Sequence, residues 1–163
     1  MTCLYLDFDG CLHSEDVLLD AAGEPYIRSP AGARLFEYVS LLEQLLEPYP
    51  RVQIILSTSW VRTVGYDRTV ARLTPALAAR AIGSTFMPSG SWGMPALTPR
   101  GREVMADVRR RGLALWQWLA IDDADESWPD YARDNLVLSD KVLGIGHPRT
   151  HAELIAKLER FAP

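Results

Sequence analysis

Three short apolar segments of the chain, residues 3–8, 52–56 and 116–121, lead into acidic or hydroxyl side chains. Apolar runs of this length are typical of strands buried on both faces of a sheet. The stretches between them carry helix signals, and alternating strands and helices build a mainly parallel sheet between helices. Because ligands bind at the carboxyl ends of such strands, the sequence predicts a Rossmann-like α/β fold with its site among those polar residues.

Two pairs of a hydroxyl residue and a proline predict where the longer helices begin. Ser29-Pro30 offers an N-cap and a proline at the first helical position, and apolar residues at helical spacing continue as far as residue 47. Thr98-Pro99 offers the same pair before a helix that we expect to end near Gly112, after a basic last turn. The first of these patterns predicts a helix over residues 30–47.

The other segments between the strands are shorter. Residues 10–29 contain Gly and Pro and predict a loop or small flap, and residues 66–82 predict one or two short helices. Residues 136–138 suit a further short strand. Thr150 and Glu153 match a capping box before the final amphipathic helix.

Length, charge and apolar content narrow the class of protein. A chain of 163 residues with 48% hydrophobic side chains can bury one core, and no repeat or linker divides it, so we expect a single domain over residues 1–163. A net charge of −4 gives no general attraction to nucleic acid or anionic lipid. We find no leader-like or long apolar segment and no metal-site spacing of cysteines, so we expect a soluble, cytoplasmic protein without a membrane partner.

The first apolar segment ends in two aspartates and a glycine. In an extended chain Asp7 and Asp9 point to the same face, so both can act on one ligand. A carboxylate near a divalent cation can attack phosphorus, and a second carboxyl can protonate the leaving oxygen and then activate water. We expect Asp7 to be the nucleophile and Asp9 the acid and base. Gly10 permits a sharp turn that brings backbone amides close to a phosphate.

Phosphoryl transfer also requires donors and a positive charge around the phosphate. The second apolar segment ends before Ser57 and Thr58, whose hydroxyls we expect to bind phosphoryl oxygens, with Ser57 the first choice. Arg100 begins the helix before the third strand, so its guanidinium can reach the strand ends and bind phosphate through two hydrogen bonds. Arg102 is the alternative residue for this role.

Two adjacent aspartates, Asp122 and Asp123, end the third strand. Their carboxylate oxygens are ligands that Mg²⁺ prefers, and an acidic site without a cation would repel phosphate. We therefore expect Mg²⁺ to be a cofactor and these two residues to help hold it.

The DxDG sequence alone also fits other sites, including calcium loops, glycosyltransferase metal sites and ordinary turns. Counted from Asp7, however, the EF-hand positions for a ligand, a glycine and a glutamate are occupied by Cys11, Leu12 and Leu18. A calcium sensor is therefore excluded. The combination of DxDG with hydroxyl and acidic residues at two later strand ends favours an enzyme.

These residues, taken in order, resemble the four motifs of the haloacid-dehalogenase-like superfamily. The first is Asp7-Phe8-Asp9-Gly10-Cys11-Leu12, and Ser57, a basic residue and Asp122-Asp123 follow. Two segments are similar to the small domain of this superfamily found in the Swiss Army Knife RNA repair group: Leu56-Ser57-Thr58-Ser59-Trp60 and Arg100-Gly101-Arg102-Glu103-Val104. The chain departs from the commonest pattern because it offers arginine where the third motif usually has lysine.

The resemblance implies an aspartyl-phosphate on Asp7 and acid and base catalysis by Asp9. It also implies that Mg²⁺ is bound by Asp7, the Asp9 carbonyl and either Asp122 or Asp123. The interval between the first two motifs has little room for a cap, so an open site could admit a phosphate on a bulky substrate.

We therefore predict a Mg²⁺-dependent phosphomonoesterase with minimal or no cap, acting on a phosphorylated small molecule. Two alternatives remain open: a catalytically silent module of the same fold that binds a cation or a partner, and a phosphatase that processes nucleic-acid ends. We expect substrate specificity to reside in residues 12–28 and 83–98.

Overall fold

Five strands form a parallel sheet at the centre of the protein. The structure is a computed structural model that describes residues 1–86 and 98–162. Its strands, numbered along the chain, are β1 (Thr2–Leu6), β2 (Val17–Leu19), β3 (Pro25–Ile27), β4 (Val52–Leu56), β5 (Ala81–Ser84), β6 (Trp118–Asp122) and β7 (Leu136–Leu138). The central sheet has the order β5, β4, β1, β6, β7, and every neighbouring pair in it is parallel. The predicted α/β fold is confirmed.

The described segments contain six α-helices. They are α1 (Val39–Leu46), α2 (Trp60–Val64), α3 (Tyr66–Val70), α4 (Pro75–Ala78), α5 (Arg100–Arg111) and α6 (Pro148–Leu158). α5 ends at Gly112, as predicted, and this glycine adopts the left-handed conformation that closes many helices. None of the helices in the described segments combines the length and the apolar character needed to cross a membrane.

Side chains of β1 alternate between two hydrophobic cores. Leu4 and Leu6 lie in a core that also contains the buried leucines of α1 and α6. Cys3 and Tyr5 point to the other face, where they pack with the apolar side chains of α5. Because a strand directs successive side chains to opposite faces, β1 joins both cores, and helices cover the sheet on both sides.

The strand order gathers the polar strand ends at one edge. β1 lies at the centre of the sheet, and Leu6 at its end is in register with Leu56 of β4 and with Ile121 of β6. The chain builds outward from β1 to β5 on one side and then crosses to β6 on the other. Ligands of open α/β sheets bind at such a switch point. We therefore expect the site among the residues that follow β1, β4 and β6.

An antiparallel hairpin of β2 and β3, here called the flap, lies between β1 and α1. Glu24, between its two strands, accepts hydrogen bonds from Arg68 of α3 at 3.0 Å and from Arg72 at 3.3 Å. The predicted loop or small flap over residues 10–29 is therefore confirmed. The chain from β1 to β4 contains no larger insertion that would form a cap.

The predicted helix over residues 30–47 is wrong at its start. α1 begins only at Val39, while residues 30–38 form turns and the Ser29–Pro30 peptide bond is cis. Ser29 therefore caps no helix. The apolar spacing indicated the later part of the helix correctly, because Leu42 and Leu46 are both buried.

Contacts with the loop after β1 explain this difference. The amide of Tyr38 donates to the carbonyl oxygen of Leu12 at 3.0 Å, and the amide of Phe36 donates to His13 Nδ1 at 3.3 Å. Phe36 also has a φ of 58°, which interrupts any helical run. The segment satisfies its backbone donors on a distant loop, and these bonds override the local helix signal.

The final helix, in contrast, starts earlier than predicted. α6 begins at Pro148, with His147 as its N-cap. Thr150 lies inside the helix, where its Oγ1 accepts a hydrogen bond from the amide of Asp140 at 3.3 Å. The predicted capping box from Thr150 to Glu153 is therefore wrong, because the threonine hydroxyl binds the loop before the helix rather than the end of the helix itself.

Two further segments differ from the sequence prediction in where their strands begin. Residues 66–82 contain two short helices as predicted, but their end belongs to the edge strand β5, which pairs with β4. The predicted strand over 116–121 begins at Trp118 because a turn of 3₁₀-helix over Leu115–Gln117 precedes it. Much of the segment 83–98, in which we expect specificity, lies outside the described residues.

Candidate active site

Three carboxylates meet at the ends of β1 and β6. Asp7 follows β1, and its amide donates to the carbonyl oxygen of Ile121 at 3.1 Å, so the pairing of the two strands continues to the site. Asp122 ends β6, and Asp123 follows it. One oxygen from each of the three aspartates lies within 4.8 Å of the other two. We call Asp7, Asp122 and Asp123 the acidic cluster.

Burial dominates the electrostatics of the acidic cluster. Loss of solvation raises the pKa of Asp7 above its ordinary value, the Arg100 guanidinium opposes this, and the Asp9 charge adds to it. Burial likewise raises the pKa of Asp122, and the charge of Asp7 raises it further. Because like charges are concentrated where water is excluded, the cluster favours either protons or a cation.

Asp123 lies against the turn that follows Asp9. Gly10 has a φ of 64°, and a Cβ added to it would lie 2.6 Å from the Cβ of Asp123. The turn therefore needs glycine both for its conformation and for this close approach. Burial raises the pKa of Asp123 to about 6, while Lys141 lowers it and Glu15 raises it.

Arg100 supplies the positive charge next to the acidic cluster. Its Nη2 lies 3.9 Å from Asp7 Oδ2, and its Nε lies 3.6 Å from Asp122 Oδ2. These separations exceed hydrogen-bond lengths, so the guanidinium faces both carboxylates without being bound to either. Glu103 holds Nη1 at 3.2 Å. Arg102, the alternative in the sequence, is exposed and makes no such approach to the cluster.

Ser57 and Thr58 follow β4, the strand that pairs with β1. The amide of Ser57 donates to the carbonyl oxygen of Leu6 at 2.8 Å. Its Oγ is buried and has no hydrogen-bond partner among the described residues. An unpaired buried hydroxyl costs about 1–3 kcal/mol, so this atom is ready for a ligand oxygen. Thr58 Oγ1, in contrast, accepts from the amide of Trp60 at 3.4 Å.

The carboxylate of Asp9 points away from the acidic cluster. Its Oδ1 accepts a hydrogen bond from Trp60 Nε1 at 2.8 Å and lies 3.0 Å from His13 Nε2. His13 is fully buried, and its Nδ1 accepts from the amide of Phe36. Nδ1 therefore carries no proton, and the imidazole donates from Nε2 to Asp9. Two donors on one oxygen fix the orientation of this carboxylate.

The acidic cluster fits a divalent cation of the Mg²⁺ type. Mg²⁺ binds oxygen at about 2.1 Å with octahedral geometry, which places pairs of ligand oxygens about 3 to 4.2 Å apart. The three oxygens of the cluster lie within 4.8 Å of one another, so at most a small contraction is needed to reach that spacing. Burial raises the pKa values of Asp7 and Asp122 and like charge adds to the effect, and a bound cation would offset both. The side chain of Asp9 is not part of this ligand set.

The structure brings most of the sequence candidates to one edge of the sheet. Asp7, Ser57, Arg100, Asp122 and Asp123 all lie at the carboxyl ends of β1, β4 and β6 or at the helix end that faces them. His13 and Trp60, the two side-chain partners of Asp9, were not assigned a role in the site from the sequence. The signals available for them were a histidine four residues after Asp9 and a tryptophan three residues after Ser57.

Comparison with known protein families gives a match over most of the chain. The model of the family described as the HAD domain in Swiss Army Knife RNA repair proteins matches residues 3–149. This match spans the sheet, the flap and every residue of the candidate site. Neither curated proteins nor solved structures yield a match to the chain.

Proposed function

Because the chain belongs to the family of HAD domains in Swiss Army Knife RNA repair proteins, we propose that it is a Mg²⁺-dependent phosphomonoesterase. Asp7 acts as the nucleophile and Asp9 as the general acid and base. Asp7, Asp122 and Asp123 hold the cation, with the carbonyl of Asp9 as a further ligand. The family itself supports a hydrolase of the HAD type, and the finer assignments depend on the geometry of the site.

One observation carries this proposal. Three carboxylates from two neighbouring strands converge within 4.8 Å, and the burial that raises their pKa values leaves them without sufficient countercharge. A protein retains such a cluster at a cost in stability. Binding of a cation and an anionic substrate would explain why the chain keeps a destabilising cluster.

The side chains divide the reaction between them. Asp7 attacks phosphorus, and the bond from phosphorus to the ester oxygen breaks while Asp9 donates its proton to that oxygen. Asp9 then removes a proton from water, which hydrolyses the phosphoryl group on Asp7 and regenerates both carboxyls. Arg100 and the Ser57 hydroxyl bind the other phosphoryl oxygens. Mg²⁺ supplies charge neutralisation for the phosphate and the carboxylates when it is bound.

His13 and Trp60 act as positioning residues for Asp9. Both donors engage Oδ1, so Oδ2 is the oxygen left to carry the catalytic proton. General acid catalysis is effective only when the acid lies within hydrogen-bond distance of the leaving oxygen. The buried ring contacts of His13 with Phe36 and Trp60, at 4.7 and 5.8 Å between ring centroids, support a fixed arrangement.

Phosphate release tests the proposal directly. We would assay p-nitrophenyl phosphate and a panel of small phosphomonoesters with Mg²⁺ or with excess chelator, using the wild type and Asp7→Asn. Metal-dependent release that disappears in Asp7→Asn supports the mechanism. Equal rates in the two proteins contradict it. An inactive wild type that still binds Mg²⁺ would favour a catalytically silent binding module.

A phosphorylated nucleic-acid end is the second candidate substrate. The family description names RNA repair, and three arginines, Arg62, Arg102 and Arg110, line one recess beside α5 in the described part of the chain. Glu103 and Asp107 of the same recess pair with Arg62 and Arg110, so Arg102 carries most of its available positive charge. Basic side chains of this kind bind the phosphate backbone in a salt-dependent manner. Faster release from a terminally phosphorylated oligoribonucleotide than from the mononucleotide, with the advantage lost at high salt, would favour this substrate.

A further inference from the structure

A small cavity lies between the flap and α2, next to Asp9. Its volume is about 140 Å³. Its walls come from the flap and from α2: Val17, Leu19, Pro25, Trp60, Thr63 and Val64. The ion pairs of Glu24 with Arg68 and Arg72 hold the flap against the region after α2 and so keep this space enclosed on one side.

The lining of the cavity selects against charge. Among the described residues that line it, Asp9 is the only charged one, and Ser59 and Thr63 add only hydroxyls to apolar and aromatic walls. A charged group in this space would lose hydration, and Arg72, which lies over the Trp60 ring at 5.8 Å, is already paired with a glutamate of the flap. An anionic group would also be repelled by Asp9. The occupant that fits is therefore uncharged.

The position of Asp9 identifies what occupies the cavity. One oxygen of Asp9 is engaged by His13 and Trp60, and in the proposed reaction the other lies within hydrogen-bond distance of the ester oxygen. The group attached to that oxygen must then extend into the space beside Asp9. A dry cavity of about 150 Å³ can hold one benzene molecule, so the available volume matches a single ring.

The geometry points to this cavity as the leaving-group subsite, which binds one uncharged, ring-sized group bonded to the ester oxygen of the substrate. This inference rests on the proposed function and extends it to a class of substrate. An aryl group and a sugar share this chemistry, because both are uncharged rings of about this size. Comparison of kcat/KM for phenyl phosphate and for a furanose phosphate shows whether the subsite prefers the aryl group or the sugar.

The first arm of the test varies the substrate. p-Tolyl and p-carboxyphenyl phosphate have similar rings and similar leaving groups but differ by one charge. We expect kcat/KM of the wild type to be about tenfold or more higher for the p-tolyl ester, chiefly through KM, because the apolar walls cannot solvate the carboxylate. Equal values for the two esters would overturn the inference.

The second arm fills the cavity. Thr63 is exposed on α2, so Thr63→Phe should fold while it occupies the space of the ring. We expect kcat/KM for p-tolyl phosphate to fall by about tenfold to a hundredfold, and that for acetyl phosphate, whose leaving group is small, by no more than about threefold. Ala156→Phe adds the same ring to an exposed position of α6 and serves as the control. Equal losses for both substrates in Thr63→Phe would contradict the subsite.

A binding measurement separates this inference from the proposed function. In the Asp7→Asn background, calorimetry should find tighter binding of p-tolyl than of p-carboxyphenyl phosphate, and Thr63→Phe should abolish the difference. Leu19→Ala, which opens the opposite wall on the flap, should reduce the difference as well. Selective binding combined with an inactive wild type would overturn the reaction and retain the subsite. Turnover without selectivity would overturn the subsite alone.

Discussion

The two aspartates of the DxDG segment are neighbours in sequence, but their carboxylates lie in opposite surroundings. What we call the metal side, after its proposed role, is Asp7 with the other two members of the acidic cluster, where burial and like charge raise the pKa values of the carboxyls. The acid side consists of Asp9 with His13 and Trp60, where two neutral donors engage one oxygen. The intervening Phe8 is fully buried.

The difference explains how one short segment can supply two kinds of chemistry. On the metal side, the concentrated negative charge supports our proposal that a cation completes the site. On the acid side, two hydrogen bonds orient the Asp9 carboxyl, and in our proposal the adjacent cavity takes the leaving group. A nucleophile and a general acid can be distinguished by such environments even when both are aspartates. Changes that affect only one side should therefore have separable effects.

Removing one carboxylate from the metal side should have the largest effect. We expect Asp122→Asn to weaken Mg²⁺ binding by about a hundredfold or more, because one anionic ligand is lost from a small set. Without metal and at a pH above the raised pKa of Asp122, which is about 8, the same variant should be more stable than the wild type by about 1–3 kcal/mol, since a buried charge next to Asp7 is removed. Calorimetric titration with Mg²⁺ and urea unfolding measure the two quantities. Unchanged Mg²⁺ affinity would break the assignment of the metal side.

Removing a donor from the acid side should affect poor leaving groups selectively. We expect His13→Leu to lower kcat for ethyl phosphate by about tenfold to a hundredfold and kcat for p-nitrophenyl phosphate by less than about threefold, because only the alkyl ester needs a well-placed acid. His13→Gln, which keeps a donor and an acceptor, should recover part of the loss. Mg²⁺ affinity should be unchanged in both variants. An equal loss for both esters would indicate a structural role instead.

The stability of the metal-free protein should depend on pH through the metal side. Burial raises the pKa values of Asp7, Asp122 and Asp123 above 3.8, the last to about 6, so the folded state binds protons more tightly than the unfolded chain. The free energy of unfolding should therefore fall as pH rises from about 4 through 6 and beyond. Added Mg²⁺ should stabilise the fold most at the alkaline end. Urea unfolding at several pH values, with and without Mg²⁺, measures this, and a flat metal-free profile would contradict it.

The smallest effect should come from the contact that holds the flap. Glu24 and Arg68 are solvent-exposed and Arg72 is partly exposed, and surface ion pairs contribute about 0.2–1 kcal/mol each. We expect Glu24→Gln to change the free energy of unfolding by less than about 1 kcal/mol and to raise KM for aryl phosphates by about two- to threefold. Acetyl phosphate kinetics should be unaffected. A large fall in kcat would show that the flap belongs to the catalytic machinery rather than to the substrate pocket.

The metal side was largely predictable from the sequence, whereas the acid side was not. Apolar runs that end in aspartates locate strand ends, and a parallel sheet brings those ends together. The choice between Arg100 and Arg102 also had a local basis, because Arg100 lies four residues before the buried Val104 and shares its helix face. Periodicity and strand order therefore account for nearly all of the acidic cluster and its arginine.

Long-range contacts account for what could not be predicted. The partners of Asp9 come from the loop after β1 and from the start of α2, and their geometry depends on the turn before α1 that binds His13. The helix signal at Ser29-Pro30 was overridden by the same contacts. No local pattern reports a bond between segments that are far apart in sequence, so the orientation of Asp9 and the cavity beside it required the folded structure.

Trapping the phosphoryl group on Asp7 tests the division of labour most directly. In Asp9→Asn, p-nitrophenyl phosphate can still phosphorylate Asp7 because its leaving group needs no acid, whereas hydrolysis of the intermediate lacks its base. With Mg²⁺ present, we predict a burst of p-nitrophenol close to one equivalent of enzyme and a phosphoryl adduct, located by mass spectrometry, on the peptide that contains Asp7. Steady turnover without an adduct would contradict the account. An adduct that persists in the double variant with both Asp7→Asn and Asp9→Asn would contradict it as well.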